Sequence, residues 1–389
     1  VNDARKGGDS MKVIVVGGGI IGCLTACMLK QRGVDCVVLE RNTPGHEASW
    51  AGAGILCPIH PWLYPDDFSR FVDDSLMLFP QLREQMEQAT GVDIQYIESG
   101  LMIPEFESDL VSHRDAALAW SRKFNWEVEA LSVEETMLME PSLNGAQLKS
   151  SLRWPKVSQL RNPRLLRAVQ AWMRQLLIPC VENCHVDCLL ESSCGVTGVQ
   201  DSKGQKYEGD AVLLACGSWS GELAEKWGCS LPVKPVKGQI VLLHGPVGTL
   251  HHIVKHDDAY FVPRSDGRVL VGASMEYVGF KKGNTPEVVQ ALLHAMLRIA
   301  PGLKDAEIEH QWMGFRPGSP DGMPYIGPVE SRKGLWVASG HYRNGVCLAP
   351  ATAVMVSRWM TGEAVPEYMH SFLPGRISTA SETLGYPEF

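Results

Sequence analysis

The residues with the plainest chemistry lie near the start of the chain, in KVIVVGGGIIGCLTACMLKQRGVDCVVLE. There Gly17, Gly19 and Gly22 stand in the spacing G-x-G-x-x-G, and an acid, Glu40, follows roughly 20 residues on. Each glycine has a separate task in holding a dinucleotide: the first allows a tight turn, the second lets a pyrophosphate approach the backbone, and the third lets a helix pack closely on a strand. A carboxylate at Glu40 can accept hydrogen bonds from both hydroxyls of an adenosine ribose, which favours FAD or NAD over NADP. The same glycine spacing occurs in turns that bind nothing, so its weight comes from the elements around it.

Those elements are all in place. Val13, Ile14, Val15 and Val16 form a β-branched apolar run that enters the turn as a strand. A helix follows, carried by Leu24, Ala26, Met28 and Leu29 and ended by Arg32-Gly33, and residues 36–40 read as a second buried strand. The helix N-terminus offers free N–H groups and the positive end of its dipole to phosphates. Residues 48–56, ASWAGAGIL, then place many small side chains in succession, as a backbone does when it runs close to something flat and bulky such as a flavin. A tight helix crossing would give a similar composition, so the position just after the nucleotide unit decides the reading.

At 389 residues the chain is long for one core, which predicts two domains or one elaborated α/β domain. The net charge of −8 and the lack of a dense basic run argue against nucleic acid or an anionic membrane as partner. The 11 cysteines are odd in number and scattered among apolar residues, which suits free thiols in a cytoplasmic protein rather than a disulfide framework. Cys180, Cys184 and Cys188 recur near His185 without the paired spacing of common zinc sites, so no metal is expected. No apolar run approaches the length of a membrane helix, and the first ten residues lack the apolar core of a secretion signal. Met11 reads as a natural start, with residues 1–10 as a tail. The apolar, proline-rich loop 58–65 reads as a packed loop, an active-site lid, or a surface for a partner or the inner face of a membrane.

Along the rest of the chain, residues 68–91 have helical periodicity, with Pro80 expected to kink or divide the helix. Residues 96–104 read as a hairpin and 116–124 as a helix, and Ser132 with Glu135 forms a capping box. Residues 154–163 read as a loop before a helix with Leu165, Leu166, Val169 and Trp172 on one face. Strands are expected at 184–190, 195–201 and 209–216, the last running into a glycine turn at Gly217. Antiparallel strands follow at 236–243, 260–263 and 269–273, then a helix at 287–299, a strand at 334–340, a turn at 341–345 and a helix from about Ala351. This order predicts an α/β fold in which a parallel sheet is assembled from discontinuous segments and carries an inserted antiparallel sheet.

The nucleotide unit, ASWAGAGIL, VLLACGSWS, YFVPRSDGRVLVGAS, GFRPGSPDGMPYIG and GHYRNGVCLAPATA together resemble the D-amino acid oxidase superfamily, most closely its glycine oxidase and sarcosine oxidase branch. The resemblance implies a Rossmann-type (GR2-like) FAD-binding domain from residues 11–95, 155–232 and 318–372, a substrate domain from 96–154 and 233–317, and tails at 1–10 and 373–389. It implies FAD held by Gly17, Gly19, Ile20, Ile21 and Gly22 at the pyrophosphate turn and by Glu40 and Arg41 at the adenosine. Ala48, Ser49, Ala53, Gly54 and Ile55 match the segment against the pyrophosphate and flavin ring, and Val186 the adenine contact. Gly217 matches a cofactor turn, and His341, Tyr342, Arg343, Asn344, Gly345, Val346 and Cys347 match the loop beneath the ring. Ala51 stands where covalently flavinylated relatives carry a histidine, and residues 314–327 lack the cysteine of others, so the FAD is expected to be non-covalent.

The same resemblance implies Arg316 as the carboxylate-gripping residue, with Tyr260 and Arg343 beside it. A guanidinium suits that task because it offers two parallel hydrogen bonds. Asp258 stands where the glycine oxidase pattern has a histidine, which opens the question of substrate. The implied reaction is oxidation of a C–N bond in glycine, sarcosine or a small D-amino acid: hydride passes from Cα to flavin N5, the imine hydrolyses to an oxo acid and ammonia or an amine, and O2 yields H2O2. A dehydrogenase delivering electrons to a quinone or other carrier is the nearest alternative, and a non-catalytic flavin-binding protein a more distant one.

Overall fold

The computed structural model describes residues 10–58, 60–109 and 112–376. The apolar run at the start becomes the strand Lys12–Val16, near the middle of a six-stranded sheet ordered Tyr325–Pro328, Leu335–Ser339, Ala211–Leu214, Lys12–Val16, Asp35–Leu39, Cys180–Val181. All neighbours are parallel except the edge strand Tyr325–Pro328, which runs antiparallel to Leu335–Ser339. A parallel sheet is covered on both faces, so its strands must be apolar at every position. Val13 and Val15 pack with the helices Ile20–Gln31, Asp66–Thr90, Asn162–Gln175 and Gly345–Met360. Ile14 and Val16 pack on the other face, towards the three-stranded sheet of Val186–Ser192, Gly195–Asp201 and Lys206–Glu208.

The second large sheet has eight strands, ordered Glu307–Gly318, Lys234–His244, Arg268–Gly272, Ala259–Pro263, Ile253–His256, Leu101–Phe106, Leu148–Trp154, Glu129–Leu131. The expected antiparallel pairing holds except where Ile253–His256 runs parallel to Leu101–Phe106. Alternation along these strands sends Val241, Leu243, Phe261 and Val271 to one face, under the helix Pro286–Ile299. Ile240, Tyr260, Val262 and Leu270 go to the other. That second face forms one wall of the site described below.

Four local expectations change. Residues 96–104 do not form a hairpin: Ile97–Glu98 pairs with Ser158–Gln159, inside the expected 154–163 loop, whereas Leu101–Phe106 pairs with Leu148–Trp154. Gly100, at φ +72°, turns the chain from one sheet into another rather than back on itself. The helix Asp66–Thr90 continues through Pro80 undivided, since Phe71, Phe79, Leu82 and Met86 seat both halves on one core.

The last helix begins at Gly345, well before Ala351, and contains Pro350. Around that proline the Ser75 hydroxyl enters the helical ladder, donating to the Cys347 carbonyl at 2.7 Å and accepting from Ala351 N–H at 3.2 Å. Finally, Arg376, placed in a tail by the sequence, bonds both carboxylate oxygens of Asp321 at 2.9 Å and lies 3.8 Å over the Tyr325 ring.

The Ser132–Glu135 capping box is formed as expected. In the 58–65 loop, Trp62 stacks on Trp154 and Tyr64 on Phe68, so its aromatic rings pack inward; Ile59 lies outside the described residues.

Candidate functional site

A cavity of about 400 Å³ runs from the C-terminal edge of the parallel sheet to the inner face of the eight-stranded sheet. At its first end the chain turns at Gly17, where a φ of +116° and the 2.3 Å at which an added Cβ would meet the Ala215 carbonyl oxygen exclude any side chain. Gly22 would set a Cβ 2.1 Å from the Gly17 carbonyl oxygen, so it serves helix–strand packing and is not part of the wall. Glu40 is oriented by backbone, one carboxylate oxygen accepting from Gly18 N–H and the other from Asn42 N–H, each at 2.8 Å. Each oxygen keeps a second lone pair for a ribose hydroxyl. Arg41 lies 4.2 Å over the Trp219 ring, which itself stacks on Phe280. Val186 lines the same end beside His185.

The small-residue segment forms a short helix, Ala48–Ala51, and then an extended passage along the cavity. Its polar backbone is satisfied from three directions. Asn162 Nδ2 donates to the Ser49 carbonyl at 2.8 Å, Trp312 Nε1 to the Ala51 carbonyl at 3.0 Å, and Arg264 Nη2 to the Ala53 carbonyl at 2.7 Å. The Ser49 hydroxyl accepts from Ile20 N–H at 3.0 Å, tying this segment to the first helix. These clamps hold a wall of backbone and small side chains flat.

The far end is made of side chains. Arg316 is on the long strand Glu307–Gly318, and its Nη1 donates to the Ser274 carbonyl at 3.0 Å. Ser274 is held in turn: its hydroxyl accepts from Gln239 N–H at 3.0 Å and donates to Glu276 at 2.6 Å, and Glu276 also bonds Gln239 and faces the buried Lys237. Tyr260 is buried beside Arg316, and burial pushes its phenol upward. Burial pulls the Arg316 guanidinium downward, opposed by the neighbouring Tyr260. Both side chains lie where a glycine has cleared space: a Cβ at Gly238 would meet Arg316 Nη1 at 2.3 Å, and one at Gly272 would meet the Tyr260 ring at 2.5 Å.

Residues 341–344 close the cavity from the parallel-sheet side. Tyr342 N–H donates to the Pro317 carbonyl at 2.9 Å, which joins this loop to the strand of Arg316. Arg343 Nη2 lies 2.8 Å from Met275 Sδ and 3.9 Å from Asp258. His341 is fully enclosed, bonded to Thr352 Oγ1 at 3.0 Å, and burial lowers it to about 3, so its imidazole is neutral at working pH. Burial likewise pushes the Cys347 thiol up to about 12. The helix Gly345–Met360 starts here and aims its N-terminus at the cavity.

Of the residues singled out in the sequence, all but Gly22 and Asn344 line this one cavity. Asn344 instead precedes the first turn of the last helix. The sequence reading missed Ser274, Met275 and Glu276, along with the clamping residues Arg264, Trp312 and Asn162. Arg264 and Ser274 lie inside the quoted YFVPRSDGRVLVGAS stretch and could have been found there, whereas Met275, Glu276, Trp312 and Asn162 carry no local signal. A long cavity with a carboxylate at the nucleotide turn, a flat small-residue wall in the middle and a helix N-terminus at the far end matches the shape and polarity of FAD.

Comparison with known proteins agrees with this geometry. A family model described as "FAD dependent oxidoreductase" (DAO) matches residues 12–359. Glycine oxidase of Pseudomonas aeruginosa is 38% identical over 91% of this chain and 95% of its own, and that of Pseudomonas putida 36% identical over the same shares. The crystal structure of glycine oxidase from Geobacillus kaustophilus superposes with a TM-score of 0.89 at 30% identity, over 95% of this chain and all of the other. The nucleotide turn, the clamped wall and the arginine-bearing strand thus occur together because the chain belongs to the DAO family of FAD-dependent oxidoreductases.

Proposed function

We propose that this enzyme oxidises the C–N bond of a small amino acid, glycine, sarcosine or a small D-amino acid, and releases an oxo acid with ammonia or an amine. The observation that carries the reading is Arg316. Its guanidinium faces the cavity, bonds the Ser274 backbone carbonyl and the neighbouring Tyr260, and among the described residues has no carboxylate ion-pair partner. A cation so enclosed is stabilised by an anion that brings two oxygens, and a substrate carboxylate is such a group. Glycine oxidases being relatives of high similarity supports the amino-acid class.

FAD when bound supplies the hydride-accepting ring. The chain's residues do the positioning. Arg316 and Tyr260 fix the carboxylate, Ala51, Ala53 and Gly54 leave the ring a flat bed, and the N-terminus of the last helix favours negative charge at that end. His341, held neutral by burial, adds no charge there. No side-chain base is needed if the substrate amine enters uncharged.

Ala51 offers no attachment atom and residues 314–327 hold no cysteine, so we take the flavin to be non-covalent, and acid precipitation should leave a yellow supernatant. We further infer O2 as the acceptor, with cytoplasmic free thiols in keeping with the location; among the described residues no helix is long and apolar enough to cross a membrane. An anaerobic screen of glycine, sarcosine and small D-amino acids should bleach the flavin, and air should then yield one peroxide per turnover. A holoenzyme that none of these bleaches has a different reaction, and reduction of a quinone dye without peroxide would replace O2 as acceptor.

A further inference from the structure

Lys255 has no part in the reaction just described, yet it lies on the same face of the eight-stranded sheet. It is the cross-strand partner of Tyr260, so their Cβ atoms are about 5 Å apart and both side chains rise towards the cavity. Its side chain is only 4% exposed, and among the described residues its Nζ has no hydrogen-bond partner. The amine lines a second, much smaller cavity of about 20 Å³, walled by Pro58, Trp62 and Trp154 and separated from the large cavity by Ile55 and Cys57, which line both. Trp62 lines the same space, and its indole N–H likewise has no partner among the described residues.

An enclosed ammonium without a partner is among the costlier features a fold can retain. Burial lowers this one to about 8, with Asp258 and Asp257 opposing that shift and Arg343 adding to it, so it still carries charge at neutral pH. Neither acid is bonded to it. Asp258 faces Arg343 at 3.9 Å, and Asp257 lies 3.2 Å from His256 and 3.7 Å from Arg298. The space holds about one water and is otherwise apolar, so the ammonium and the indole donor are the groups in it that can meet a small anionic head group.

We propose that the Lys255 pocket is a subsite for the second carboxylate of a substrate that carries two, the first being held by Arg316. This rests on the amino-acid reading above and extends it. The distal carboxylate reaches Lys255 and the Trp62 N–H past Ile55 and Cys57. The arm between the two carboxylates is short, attached either at Cα or at the amine.

The test uses FAD-loaded enzyme and two readouts. Acetate, malonate and succinate are titrated against the flavin absorbance, and turnover is compared for glycine with iminodiacetate and for D-alanine with D-aspartate. Wild-type protein should bind at least one dicarboxylate about tenfold or more tighter than acetate, as a charged hydrogen bond warrants. In Lys255→Met that preference should vanish while acetate affinity and glycine kcat/KM stay within about twofold, a small margin on the scale of one hydrogen bond. Trp62→Phe, which keeps the ring and loses the donor, should lose part of the preference and provides the test should Lys255→Met not fold.

Equal losses for mono- and dicarboxylates, or no dicarboxylate preference in the wild type, would overturn the proposal. If no amino acid reduces the flavin, the reaction reading fails while the binding ratio still decides the subsite.

Discussion

The two ends of the long cavity are built on different principles. At the nucleotide end the contacts come from backbone: a glycine turn, a helix N-terminus and one carboxylate, Glu40, itself held by two backbone N–H groups. At the end we propose for substrate they would come from side chains, Arg316 and Tyr260, which occupy space cleared by Gly238 and Gly272. Backbone recognition is compact and tolerates many sequences around it. Side-chain recognition requires that several distant strands keep their register, because a slip of one residue would turn Arg316 away from the cavity.

The contrast can be broken most severely at Arg316. Arg316→Ala should lower kcat/KM for the amino-acid substrate by about 100-fold or more, because a doubly bonded charge contact worth roughly 3 kcal/mol disappears. Flavin content, measured from the absorbance ratio, should not change. Gly238→Ala attacks the same contact without touching the charge: the new Cβ collides with the guanidinium. It should cost about tenfold in kcat/KM through displacement alone. A Gly238→Ala enzyme with wild-type kinetics would mean that the arginine is not held in the place described.

At the opposite end, Glu40→Ala should weaken FAD binding by about tenfold with kcat at saturating FAD little altered, read by flavin fluorescence on dialysis. A large fall in kcat there would erase the division of labour between the two ends.

The smallest effect concerns acid. His341 is buried neutral, with its pKa lowered from 6.5 to about 3. Its contribution to stability is therefore complete above pH 6.5 and is lost as pH falls from there towards 3, by up to about 1.4 kcal/mol per pH unit. Chemical denaturation between pH 7 and 4.5 should show a steeper decline for the wild type than for His341→Asn.

This same division explains what could be read from the sequence. The nucleotide end was legible almost whole, because strand, turn, helix and acid are neighbours along the chain and each has a local signature. Arg316, Tyr260 and Arg343 could be placed only through resemblance to relatives, since nothing near them in sequence says that they meet.

Lys255 was invisible: a lysine in Ile253–His256 reads as solvent-facing until the strand is known to lie between two others. The supposed hairpin at 96–104 failed for a related reason. A glycine turn looks the same whether the chain doubles back or crosses to another sheet, and the pairing partner at 148–154 is too distant to be inferred from periodicity. Pro80 misled in the other direction, because local propensity marks a proline as a boundary while tertiary packing carries the helix past it; the last helix likewise runs through Pro350, where the Ser75 hydroxyl bonds Cys347 and Ala351.

The cavity walls draw on residues as far apart as Val16 and Cys347. A ribosome adding roughly 5 to 20 residues per second needs about 15 to 65 s to pass from the glycine turn to the last helix. Through that interval the chain carries the glycines of its phosphate-binding turn but has no floor for the flavin ring. Full cofactor loading therefore has to await the segment that ends the cavity lining at Cys347.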